Sequence, residues 1–176
     1  EGEGEVTTLI LRGATKQTLD ETERGFEDAL GVVCLAYSTL KVVHGGGAAY
    51  LNAALHLRSR AAEAGGREQM AIEAFASALE IIPRTLAENA GLDPVNTIIE
   101  LRKSHADGKG YSGINVEDGG VMDMREANVL EPQRVVEQAI QSATETAIMI
   151  LRIDDVISSK GVSGDDMMGG MDDFHM

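Results

Sequence analysis

From Thr18 to Leu40 the apolar residues Leu19, Phe26, Leu30, Val33, Tyr37 and Leu40 recur at helical spacing, which predicts a long amphipathic helix. Thr18 with Glu21 has the form of a capping box at its start. The alanine-rich run Ala48–Ala64, carrying Leu51 and Leu55, predicts a second helix that Gly65-Gly66 ends. Glu68 to Ala90 predicts one long helix with Phe75, Leu79, Ile82 and Leu86 on a face, kinked by Pro83. Asp93-Pro94 supplies an N-cap and a first-turn proline for a helix that carries Ile98, Leu101 and Arg102 and fades at Asp107-Gly108. A last helix, from about Pro132 to Leu151, buries Val135, Val136, Ala139, Ile140, Ala143, Ala147 and Leu151.

Elsewhere the pattern shortens. Val6-Thr7-Thr8-Leu9-Ile10-Leu11-Arg12-Gly13 is apolar and β-branched and predicts a strand. Residues 113–116 and 121–124, joined by Glu117-Asp118-Gly119-Gly120, predict a β-hairpin. Ile153 to Ile157 reads as a short edge strand blunted by Asp154 and Asp155. Residues 158–176, rich in Gly, Met, Asp and Ser, hold too little apolar bulk to fold and are expected to be disordered. The fold class expected is therefore mainly α, a helical bundle with a small hairpin and a few short strands.

Between the first two helices stands Val43-His44-Gly45-Gly46-Gly47-Ala48. Three glycines do not belong inside a helix, so the run predicts a tight turn whose backbone comes very close to a neighbour. Two readings stay open. The turn is either packed under another element, or it presents a helix N-terminus to an anionic group such as a phosphate. Asp28 is similarly open. It faces nearly opposite Phe26 and shares its side with Arg24, Val32 and Leu35, so it is expected to be half-buried. It is either one partner of an Arg24–Asp28 pair or a carboxylate that looks into a cleft and orients a water.

Charge narrows the partners. The chain of 176 residues has 29 acidic residues against 15 Lys and Arg, a formal charge of −14, with three Phe, three Tyr and no Trp. That balance argues against nucleic acid, which calls for basic patches and stacking platforms. No apolar run is long enough to predict a membrane span. Cys34 is the only cysteine; it lies in Val32-Val33-Cys34-Leu35-Ala36 and is expected to be a small buried thiol. With no intrachain disulfide available, a reducing, cytoplasmic setting is the default. The four histidines show no ligand spacing, and no structural zinc site is expected. The opening Glu1-Gly2-Glu3-Gly4-Glu5 lacks an initiator Met, which suggests a piece of a longer protein.

Several stretches carry a family resemblance. Thr7-Thr8-Leu9-Ile10-Leu11-Arg12-Gly13, Glu23-Arg24 with Glu27-Asp28-Ala29-Leu30, Gly45-Gly46-Gly47-Ala48, Leu86-Ala87-Glu88-Asn89-Ala90-Gly91-Leu92-Asp93-Pro94, Ala143-Thr144-Glu145 and Ile150-Leu151-Arg152-Ile153-Asp154-Asp155-Val156-Ile157 together resemble the C-terminal portion of a group II chaperonin subunit of the thermosome type. The Gly-Met tail is similar to that family's cavity-facing tail.

The resemblance implies an ATP-dependent chaperonin that assists folding in a double-ring chamber. Residues 1–44 would be the returning strand and helix of the intermediate domain, residues 45–157 the C-terminal half of the equatorial domain, and 158–176 the tail. It implies ATP/ADP with Mg²⁺ as ligand. Asp28 would be the catalytic carboxylate, and Gly45, Gly46 and Gly47 would approach the nucleotide. Asn115, with Val116 beside it, would meet the adenine edge, Val129 would pack on adenine, and Glu131 would accept from the ribose hydroxyls. His44 and Tyr50 stand where the family commonly has a proline and an acid. The family's phosphate loop, its Mg²⁺-holding aspartate and its client-binding apical domain do not occur in this chain, so hydrolysis by the chain alone is expected to be very slow or nil. The partners implied are chaperonin-like subunits in a homo- or hetero-oligomer, with unfolded clients held by the apical domain. The alternative is a truncated, chaperonin-derived helical interaction module without ATPase activity.

Overall fold

The computed structural model describes residues 6–153. It divides into two units, one up to Ile140 and one from Gln141 onward.

The first unit begins with extended chain. Residues 6–13 form no strand, because none of the described residues pairs with them, and their apolar side chains Val6, Leu9 and Ile10 stay exposed. α1 (Lys16–Thr39) follows. Its N-cap is Thr15, whose side chain accepts from the Thr18 backbone N–H; the expected capping box at Thr18 lies three residues too late. No residue of α1 is buried, so its apolar stripe is left open, with Val33 63% and Tyr37 82% exposed. Cys34, expected to be buried, is exposed on this helix. Leu40 leaves the helix with a positive φ of 52° and closes it through its N–H to Ala36 O.

β1 (Val42–His44) then pairs antiparallel with β4 (Leu130–Pro132), Val42 against Pro132, Val43 against Glu131 and His44 against Leu130. Sequence pattern alone does not announce these three-residue strands. The glycine turn leads into α2 (Ala48–Ala64), which packs along α3 (Gly66–Leu79). The expected single helix from Glu68 to Ala90 is two helices. It breaks at Glu80, and α4 runs Ile81–Asn89. The cause is Pro83, which cannot donate to the Leu79 carbonyl and crowds it, so the chain parts between them. α5 (Pro94–Ala106) has the predicted cap: Asp93 Oδ1 accepts from the backbone N–H of Val95 at 3.0 Å. β2 (Ser112–Ile114) and β3 (Val121–Asp123) form the predicted hairpin, slightly shortened.

Two apolar clusters hold the unit together. Leu51, Ala87, Leu101 and Ile114 join α2, α4, α5 and β2, with Leu55, Leu86, Leu92 and Val121 around them. Ala54, Ala76 and Leu79 join α2 to α3, with Tyr50, Ala53, Leu57 and Ile140 around them. The alanines allow α2 and α3 to approach closely.

α6 (Gln133–Leu151) starts in the first unit and supplies the helix of the second. Of its predicted buried face only Val136 is buried and Ile140 half-buried. Val135, Ala139, Ala143, Ala147 and Leu151 are exposed. The expected edge strand at Ile153–Ile157 and the tail lie outside the described residues beyond Ile153. No helix among the described residues is long and apolar enough to cross a membrane.

Candidate functional site

The glycine turn is where β1, α2, β2, β4 and α4 meet. Gly45 N donates to Val129 O at 3.0 Å and so prolongs the β1–β4 pairing by one step. Gly46 O accepts from Ile114 N at 2.9 Å, which ties the turn to β2. Gly47, at φ +79°, is the N-cap of α2, and Ala48 N closes back on Gly45 O at 3.1 Å. The left-handed φ of Gly46 (+62°) and Gly47 favours glycine at both positions.

Packing requires it too. A Cβ on Gly45 would lie 2.8 Å from Val129 Cγ1 and 3.3 Å from Glu131 Oε1. One on Gly46 would lie 2.9 Å from Met124 Sδ, and one on Gly47 2.7 Å from Pro83 Cβ. Opposite the turn, a Cβ on Gly113 would meet Gly45 O at 2.7 Å and Gly46 O at 3.1 Å. Of the two open readings, the packed turn is the one observed. It is packed against β2, β4 and α4, and its backbone stands beside the Val129 and Glu131 side chains.

Glu131 is half-buried, and burial pushes its carboxyl above the ordinary value of 4.5. Tyr50, on the first turn of α2, is pushed up as well, first by burial and then by the Glu131 charge. Tyr50 and Glu131 thus lie close enough to feel each other electrostatically. Asn115 sits at the end of β2. Its Oδ1 accepts from the backbone N–H of Glu117 at 3.0 Å and Asp118 at 3.3 Å, so that oxygen caps the hairpin turn. Val116 beside it is 55% exposed.

Asp28 stands apart from this cluster. It is exposed in the middle of α1, not half-buried: Val32 on the same side is open too, and only Leu35, near the end of the helix, is half-covered. Arg24 bonds Glu21 at 3.0 Å instead of Asp28. With eleven residues from Asp28 to the end of α1 at Thr39, the carboxylate stands about 17 Å along the helix axis from that end. The structure thus brings together Gly45, Gly46, Gly47, Val129 and Glu131, ties Ile114, the residue before Asn115 and Val116, to Gly46, and leaves Asp28 on its own helix. Among the described residues no group of three His, Cys, Asp or Glu is placed to hold a metal ion.

Two features beside the turn escaped the sequence reading. His105 is buried, with Nε2 donating to Ser112 O at 2.7 Å and Nδ1 3.0 Å from Asn52 Oδ1. Its signal was present, since His105 continues the buried Ile98–Leu101 face of α5 at helical spacing. On the hairpin's outer side Arg125 lies 3.2 Å from the Tyr111 ring centre, and its hydrogen bonds hold the Asp123 carboxyl down at about 2. That arrangement depends on a turn that only the fold closes.

The family model of the TCP-1/cpn60 chaperonin family matches residues 1–161. The chain belongs to the TCP-1/cpn60 chaperonin family. It is 53% identical over 163 residues to thermosome subunit beta of Archaeoglobus fulgidus, covering 93% of this chain and 30% of that relative. It is 56% identical over 156 residues to the thermosome subunit of Methanopyrus kandleri, covering 89% of this chain and 29% of that one. Among solved structures it is similar to the open-state monomer of a group II chaperonin from Methanococcoides burtonii, with a TM-score of 0.69 and 46% identity over 82% of this chain and 36% of that one. The chain therefore spans about 30% of the length of the curated relatives it matches. The mainly α chaperonin fold expected from the sequence is the fold observed.

Proposed function

We propose that this chaperonin-family chain supplies one wall of an ATP site in a subunit that assists protein folding in a double-ring chamber. The observation that carries the reading is the close approach of the bare Gly45 backbone to Val129 and Glu131, where any side chain would collide with Val129 and crowd Glu131. A planar base and ribose set against Val129 and Glu131 would be met by bare backbone on the glycine side. The donor set fits the group. Val129 offers an apolar face to adenine, Glu131 an acceptor to ribose hydroxyls, and Asn115 and Val116 the edge beyond. Gly46 and Gly47 lead into the N-terminus of α2, whose dipole favours the phosphates. When bound, Mg-ATP would supply the phosphoryl group for transfer, while the Mg²⁺ ligand and phosphate loop come from outside this chain.

In this reading residues 1–44 belong to an intermediate domain and 45–157 to an equatorial domain. Asp28, exposed on α1, is the group that orients the attacking water once closure carries the helix to the phosphates. That closure, the cytoplasmic setting and assembly with chaperonin-like subunits follow from the family reading. Nucleic acid and membrane have no place in it.

The test is equilibrium binding of Mg-ATP to the purified chain, with turnover measured alongside. Weak binding that Gly46→Asp removes and Asp28→Ala keeps, with negligible turnover, is the expected result. Equal binding by wild type and Gly46→Asp would overturn the site. Robust turnover abolished by Asp28→Ala would overturn the view that the chain holds one wall only. A second reading, an interaction module without ATP chemistry, is favoured by one observation, the open apolar stripe of α1 with Tyr37 and Leu40 each 82% exposed. A discrete oligomer that binds no nucleotide would support it.

A further inference from the structure

We propose that His105 is a positioning residue for the glycine turn, setting the distance between α2 and β2 at which Gly46 O accepts from Ile114 N. The inference rests on the turn being the nucleotide-facing backbone, as proposed above. Three polar contacts make a closed frame. His105 reaches β2 through Nε2 to Ser112 O at 2.7 Å, two residues before Ile114. On the α2 side its Nδ1 stands 3.0 Å from Asn52 Oδ1, a hydrogen bond when Nδ1 as well as Nε2 carries hydrogen. Asn52 Nδ2 in turn donates to Gly110 O at 2.5 Å, just ahead of β2. That bond fixes the amide with its oxygen toward the histidine.

The frame bears on the turn because α2 begins at Ala48, directly after it, and Ile114 N bonds back to Gly46 O at 2.9 Å. Gly113, between Ser112 and Ile114, lies so close to the turn that its missing Cβ would sit 2.7 Å from Gly45 O. A shift of β2 away from α2 by a few tenths of an ångström would therefore lengthen the Gly46–Ile114 bond. The ring is 8% exposed, so water does not replace its bonds readily. Gly45 is tied separately, to β4 through Val129 O. That second tie gives an internal reference which His105 does not touch.

The test is amide hydrogen exchange by NMR on the whole chain, comparing Ile114 N–H with Gly45 N–H. His105→Phe keeps the ring volume and removes both polar contacts; His105→Gln restores a donor toward Ser112 O. Asn52→Ala cuts the α2 end of the frame at an exposed position and remains informative if the histidine variants fold poorly. The proposal expects His105→Phe and Asn52→Ala to speed exchange at Ile114 about tenfold relative to Gly45, with His105→Gln recovering most of it. A change equal at both amides, as a general loss of stability would give, overturns it. So does an unchanged Ile114. Mg-ATP affinity is read on the same proteins. Faster Ile114 exchange with no nucleotide bound even by wild type supports the positioning role and counts against the nucleotide reading. Affinity lost with Ile114 exchange unchanged overturns the positioning role and leaves the nucleotide reading standing.

Discussion

At the scale of single residues, the glycine turn is set by what cannot be added to it. Gly46→Ala forces a side chain into a left-handed φ of +62° and against Met124 Sδ at 2.9 Å. Backbone strain and overpacking together should cost about 2–4 kcal/mol, read as a drop in the urea midpoint. An unchanged midpoint would mean the turn relaxes freely. Glu131 works the other way. Its carboxyl is raised by burial, so the folded state holds a proton more tightly than the unfolded one, and its charge destabilises the fold as pH rises above 4.5. Glu131→Gln should therefore raise Tm at pH 7, and the gain should vanish as pH falls below 4.5. The exposed Glu23→Gln should give no such gain; if both behave alike, net charge and not burial is the cause. The triglycine was legible in the sequence as a tight turn because glycine punctuates locally. Its contact with Glu131 was not, since that pairing depends on strands far apart in the chain. Asp28 shows the converse: helical spacing placed it on α1, but its burial depended on a neighbouring element that the described fold does not provide.

At the scale of elements, the break between α3 and α4 is held by charge. Glu80 is buried in the gap that Pro83 opens. It accepts from Arg58 of α2 at 2.8 Å and from Arg102 of α5, Nε at 3.0 Å. Burial alone would raise the Glu80 carboxyl, but the Arg102 and Arg58 hydrogen bonds override it and bring it below 4.5. The clamp therefore stabilises the fold fully above 4.5 and is lost as pH falls through the lower folded value. Glu80→Gln should destabilise by about 2 kcal/mol at pH 7, less than a fully buried pair because both guanidiniums keep a third or more of their surface in water. The difference from wild type should shrink below pH 4. A difference that persists at acid pH would mean the loss is one of shape and not of charge. This clamp also shows where sequence reading stops. The Asp93-Pro94 cap and the Gly65 stop are local signals, and both stand in the fold where the sequence predicts them. For Glu68–Ala90 the sequence predicts a kink and not a split, because Pro83 marks the place but not the strength of the break. The strand expected at residues 6–13 failed because a strand needs a partner, and no described residue pairs with that stretch.

At the scale of the whole molecule, charge and exposure pull together. A formal charge of −14 on 176 residues repels itself in the compact state. The surface pairs Arg24–Glu21 and Arg60–Glu63 are each more than half exposed and offset only tenths of a kcal/mol. Glu80 with its two arginines is screened less than either. Salt should therefore relieve more repulsion than it removes attraction. Raising NaCl from about 10 to about 150 mM shortens the screening length from about 30 to about 8 Å, so Tm should climb over this range and then flatten. KCl should match NaCl, because screening is indifferent to the cation. A flat or falling Tm would show that attractive pairs, and not net charge, dominate the surface. A cation-specific rise would point instead to a bound ion. The same screening brings the open stripe of α1 into play. Val33, Tyr37 and Leu40 are apolar and uncovered on a helix that also carries Asp20, Glu21, Glu23, Glu27 and Asp28. At low salt those carboxylates should hold copies of the chain apart. At high salt the apolar stripe is free to find a partner, so molar mass measured across the same titration should rise where Tm levels off. Tyr37→Gln should suppress that rise without lowering Tm, since Tyr37 is 82% exposed and the change leaves the net charge as it was.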